Sequence, residues 1–108
     1  MDPGHVVTTV GAPSYVDFGA PGGTLGVFGV VVNEVSAPGT SPSLSIAVQT
    51  KNFADTSWTD AATFTAITTA THGLKEASGL KQQVRLKCTQ SGTDAWSDLD
   101  VFTPRYLP

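Results

Sequence analysis

The sequence predicts an all-β protein: an antiparallel β-sandwich or jelly-roll-like single domain with an extended N-terminal arm. Three observations predict it. Runs of alternating apolar and polar residues recur about every eight to twelve residues, separated by Gly, Pro, Ser and Asp. The one stretch with possible helical character, "ATHGLKEASG" at 70–79, is short and bounded by glycine, so it reads as a strand edge or turn. A chain of 108 residues with 40% apolar side chains can build one core but not two.

The first 23 residues carry Pro3, Pro13 and Pro21 together with Gly4, Gly11, Gly19, Gly22 and Gly23. Two β-like pieces, "HVVTTV" and "SYVDF", sit between these breakers. Proline cannot donate to a sheet ladder, so residues 1–23 are expected as an arm or edge element ahead of a sandwich over 24–103. Ordering such an arm costs about 1–2 kcal/mol per residue of backbone entropy. Burial of Val6, Val7, Val10, Tyr15, Val16 and Phe18 against a neighbouring subunit would offset that cost, and these are its expected partner-binding residues.

"TLGVFGVVVNEV" at 24–35 is apolar on both faces, with Leu25, Val27, Val31 and Val35 on one and Phe28, Val30 and Val32 on the other. Such a strand needs cover from both sides, by the second sheet and by the arm or another subunit. Phe28 is assigned to that partner contact. "SLSIAVQT" at 43–50 is cleanly period two and turns Leu44, Ile46 and Val48 inward. After the turn "KNFADTS", the run "WTDAATFTAIT" supplies Trp58 and Phe64 as core residues. Trp58 is expected to close one end of the sandwich, burying about 150–250 Å², so that its truncation would cost about 3–5 kcal/mol.

"LKQQVRLKCTQ" at 80–90 directs Val84, Leu86 and Cys88 to the core, the cysteine acting as a small apolar residue. In "AWSDLDVFT" at 95–103, Trp96 falls on the face opposite Leu99 and Val101, where it is expected at an interface. The tail "PRYLP" at 104–108 is kept from regular sheet by its two prolines.

Charge narrows the function. Charged residues are 14% of the chain, against about 25% in typical soluble domains, and 15 threonines and nine serines stand in for them. Such a surface can be buried against neighbours at little desolvation cost. A net charge of −3 with six Lys and Arg lacks the basic stripe that nucleic-acid binding requires. One cysteine supplies neither an internal disulfide nor a zinc site. No signal peptide and no apolar run of about eighteen residues is visible, so the expected product is made in the cytoplasm and does not cross a membrane.

Catalytic constellations are missing as well. His5 and His72 sit in terminal or turn-like sequence, away from Cys88. Asp94, Asp98 and Asp100 form the densest acidic cluster; it reads either as a solvated face or as part of a calcium site, and Arg85 as a cross-strand partner for one of these acids. No phosphate loop, metal motif or triad signature occurs. The chain is expected to be no enzyme and to need no cofactor.

From "SPSLSIAVQTKNFADTSWTDAATFTAI" through "GLKQQVRLKC" to the final strand, residues 24–102 resemble small virion proteins of tailed bacteriophages. The pattern is an alternating strand ending at Gln49, then Trp58 with Asp60, Phe64, "GL", and a strand bearing Val84 and Arg85. The chain departs from it in the turn, "FADTS" in place of Asp-Gly, and in the polar "DAWSDLD" of the final strand. The resemblance implies a non-enzymatic structural protein that coats or cements the head shell, oligomeric within the assembly. Its partners would be the major capsid protein, copies of itself, or both. Two alternatives stay open: a carbohydrate-binding sandwich with Trp58 or Trp96 as its platform, and a tail or neck component.

Overall fold

The computed structural model describes residues 4–11, 13–36, 42–92 and 94–107; the run of breakers "SAPGTSP" at 36–42, which the sequence marks as a loop, lies outside them except for its two end residues. Among the described residues, nine strands form two packed antiparallel sheets and no helix. The five-stranded sheet runs β1 (Gly4–Thr9), β8 (Trp96–Val101), β3 (Leu25–Ser36), β6 (Thr71–Ala77), with β9 (Arg105–Leu107) also on β3. The four-stranded sheet runs β2 (Ser14–Gly19), β7 (Gln83–Ser91), β4 (Ser43–Lys51), β5 (Thr59–Thr63). The all-β sandwich read from the sequence is the fold.

The core lies where the inner faces meet. Phe28, Val30, Val32, Leu99 and Val101 from one sheet pack on Leu44, Ile46, Val48, Val84, Leu86 and Cys88 from the other. Each of these is at most 1% exposed, so the alternation in β4 and β7 translates directly into burial. Phe64 packs against this cluster from its margin, and its backbone N–H donates to the Ile46 carbonyl at 2.9 Å.

β3 shows why a two-sided strand is hard to orient from sequence. Its inner residues are Phe28, Val30 and Val32, so Phe28 is a core residue and not a partner contact. Its ring meets Phe18 at 5.7 Å and Tyr106 edge-on at 6.1 Å. The register with β8 shifts between Val32 and Glu34. This bulge turns Val35, which alternation groups with Leu25, Val27 and Val31, toward the core, where it is partly buried.

The N-terminal region is not a separate arm. Residues 4–9 and 14–19 are edge strands, one in each sheet, laddered on β8 and β7. Pro13 and Pro21 lie just outside β2 and so break no ladder within it. Val16 is buried at 8% exposure, and Val6 and Phe18 pack against the core, so the ordering entropy is offset within the chain itself. The tail is corrected in the same way. Residues 105–107 pair with Leu25–Val27, continuing along β3 the lane that β8 leaves at Val30. The Phe102 N–H donates to the Gly29 carbonyl at 3.0 Å between them. The stretch at 71–77 is the edge strand β6.

A buried polar link joins the sheets at one end. The Ser97 hydroxyl of β8 donates to the Gln90 side-chain carbonyl of β7, whose amide donates to the carbonyls of Ser43 (3.2 Å) and Ser91 (3.0 Å). At the other end, Thr50 Oγ1 donates to the Gln83 carbonyl and accepts from the Lys81 N–H, each at 2.8 Å.

Candidate functional site

The two outer faces of the sandwich carry its available chemistry, and they differ. On the five-stranded sheet, Val7, Thr9 and Trp96 share the outer side because β1 and β8 pair Thr9 with Trp96 and Val7 with Asp98. With Val10 and Ala95 they line a shallow depression of about 540 Å³. The structure thus brings together three of the residues expected to bind a partner: Val7, Val10 and the half-buried Trp96.

Further along this face is an apolar patch that the sequence pointed to only through β3. Leu74 is 76% exposed and Phe102 45% exposed. Both lie over Gly29, where an added Cβ would come within 2.9 Å of the Leu74 side chain and 3.3 Å of the Phe102 ring. Val27 and Val31 flank Gly29 on the same side, and Leu107 lies level with Leu25. The second cover expected for β3 is therefore supplied only in part by the chain.

Between the two apolar ends runs a polar band. Asn33, the bulged residue, donates through Nδ2 to Asp98 Oδ1 and Asp100 Oδ2, each at 3.2 Å. His5 Nε2 meets Asp98 Oδ1 across the β1–β8 pair. The His5 ring and the Asn33 amide hold the Asp98 carboxyl below its ordinary range. Among the described residues, no three acidic, His or Cys side chains converge as a metal site; Asp98 Oδ1 is turned to Asn33 and His5, and Asp100 Oδ2 to Asn33.

The outer face of the four-stranded sheet is built around Arg85. Its expected acidic partners lie on the other sheet, and its neighbours across the ladders are Gln49 and Asp17. Arg85 Nε donates to Gln49 Oε1 at 2.8 Å, and Gln49 Nε2 donates to Asp60 Oδ1 at 2.9 Å. The Tyr15 ring from β2 lies 4.0 Å from the guanidinium carbon, and the Trp58 ring, from beyond β4, lies 4.2 Å away. Lys51 Nζ sits 5.5 Å from the same indole. Trp58 is thus half-buried on an outer face, stacked with cations, and not the plug of the core. Tyr15, 46% exposed, is likewise on this face rather than on a partner-seeking arm.

Gln49 and Asp60 also open onto a trough of about 320 Å³ lined by polar Ser45, Thr63, Lys87 and Thr89 and by apolar Ala47, Phe64 and Ala66. A separate groove of about 440 Å³ opens beside β6, with Val30 and Ile67 at its base and Thr68, Thr69 and Thr71 on its walls. Cys88, fully buried, has its thiol pushed up to about 12 by desolvation.

No protein-family model, curated protein or solved structure matches this chain.

The meeting of Tyr15, Arg85 and Trp58 was not legible locally. Arg85 lies within one alternating run and Trp58 comes after another, but only the β2–β7 register brings Tyr15 to them.

Proposed function

We propose that this chain is a non-enzymatic structural protein of a tailed-bacteriophage virion, a decoration or cement protein that binds and stabilises the head shell in many copies. The observation that carries the reading is the apolar outer face of β3, where Leu74 and Phe102 stay exposed over Gly29. Exposed apolar surface rimmed by polar residues suits a protein interface. The rim here is acidic, with Glu34, Asp98 and Asp100 on the same side of the sheet. The partner that fits is a shell protein offering an apolar patch with a basic margin. The resemblance of residues 24–102 to phage virion proteins and the low charge of the surface support the same reading.

Mass spectrometry of intact purified particles tests it through copy number. Hundreds of copies per particle are expected; a handful would move the protein to a tail or neck, and none would remove it from the virion. Leu74→Asp, at an exposed position, should leave the melting temperature nearly unchanged and abolish incorporation. A folded variant that loads at parental occupancy would refute this face as the contact.

A further inference from the structure

We infer that the outer face of the four-stranded sheet is a binding site for a carboxylated saccharide, with Arg85 as the fork that takes the carboxylate. A guanidinium has five N–H donors in a fixed plane. In Arg85 the Nε–H is used by Gln49, and among the described residues no acceptor binds the terminal nitrogens. Those nitrogens form the edge that grips a carboxylate through two parallel hydrogen bonds.

The fork is held in place before any ligand arrives. Tyr15 and Trp58 flank the guanidinium from opposite sides of β7, and the Gln49–Asp60 hydrogen bond fixes the acceptor on its inner edge. A side chain ordered by stacking and hydrogen bonding loses little further entropy on binding. Among the described residues, no carboxylate forms an ion pair with Arg85. Asp17, level with Arg85, accepts from the Gly19 N–H at 2.9 Å, and Asp60 accepts from Gln49. Lys51 and Lys87 add positive charge to the same face.

The class of ligand follows from what lies beside the fork. The trough that begins at Gln49 and Asp60 mixes hydroxyls from Ser45, Thr63 and Thr89, one amide, one carboxylate and the Lys87 ammonium with apolar surface from Ala47, Phe64 and Ala66. A pyranose ring carries the same mixture, with hydroxyls at its edge and C–H groups on its faces. A ring bearing several hydroxyls matches it through paired donors and acceptors, and the trough volume of about 320 Å³ falls within the range of small-molecule sites. The two outer faces point away from each other, so a sandwich seated on its five-stranded sheet leaves this one open to solvent.

The test is isothermal titration of the full chain with a uronic-acid tetrasaccharide, the neutral tetrasaccharide of the same linkage, sodium acetate, and a glutamate-rich peptide. The uronate is expected to bind at least about tenfold more tightly than the other three, and more weakly as salt rises. Arg85→Lys keeps the charge but loses the fork, and should weaken uronate binding by about tenfold or more. The undenatured parent is tested directly, so the result does not depend on how a variant folds. Equal binding of the neutral sugar, of acetate or of the peptide overturns the assignment. So does an absence of uronate binding at millimolar concentration, or undiminished binding by a folded Arg85→Lys variant.

Discussion

Trp58→Ala separates an outer-face stack from a core plug. The indole contacts two cations, Arg85 at 4.2 Å and Lys51 at 5.5 Å, and is only half-buried. Cation–π contacts at exposed positions contribute about 0.5–1 kcal/mol each. The two together give an expected loss of about 1–2 kcal/mol. Leu86 is fully buried at 0% exposure, and Leu86→Ala is expected to cost about 2–5 kcal/mol. Urea unfolding followed by circular dichroism is the suitable assay, because the substitution removes one of the two tryptophans on which fluorescence would depend. A double-mutant cycle of Trp58→Ala with Arg85→Met should return a coupling of about 0.5–1 kcal/mol. If Trp58→Ala costs as much as Leu86→Ala, and the cycle shows no coupling to Arg85, then the stack is not what holds the indole and its stability role is that of a core residue.

Three further outcomes are expected. Cys88, with its thiol pushed up to about 12, should react with a thiol reagent only after denaturation, and rapid labelling of the native protein would contradict its burial. The Asp98 carboxyl is lowered in the fold, so its contribution to stability is full above the ordinary Asp range of about 4 and is lost as pH falls through its depressed value. The difference in melting temperature between the parent and Asp98→Asn should accordingly be present near neutrality and shrink in acid; a constant difference would show that ionisation is irrelevant. Deletion of residues 2–22 removes β1 and β2 and uncovers the free sides of β8 and β7, so circular dichroism should show an unfolded chain, whereas a folded sandwich would restore the arm.

What the sequence made legible depended on how many faces of a strand were ambiguous. In β4 and β7 one face is apolar and the other polar, so Leu44, Ile46, Val48, Val84, Leu86 and Cys88 could be placed in the core from alternation alone. In β3 both faces are apolar, so the two sets could be separated but not assigned, and Phe28 was placed on the wrong side. The bulge at Asn33 leaves no mark in the pattern, which is why Val35 changes face unannounced. Composition misled at the ends of the chain. Pro13 and Pro21 signal irregular backbone, yet they bracket a paired strand, and Pro104 precedes a three-residue strand too short to show any period. Trp58 followed the general tendency of large aromatics toward burial, which here yields to the two cations beside it. The binding faces were the least legible, because each joins residues that only strand order makes neighbours.

The edges of the sheets help to explain why recognition falls to the faces. An open edge presents unpaired N–H and C=O groups to any extended chain. Here β1 and β2 are six residues long and β5 five, and the registers of β2 and β5 are interrupted, at 17–19 and opposite Val48–Gln49. β6 carries Lys75 and Glu76 on exposed positions. Short, irregular or charged edges are poor templates for strand addition. The faces carry the opposite character: one leaves Leu74 and Phe102 uncovered beside an acidic band, the other holds an arginine between two rings beside a trough of mixed polarity. Contact through the faces also leaves every ladder hydrogen bond intact, so a partner can bind without competing with the pairing that keeps β1, β2, β5 and β6 in the sandwich.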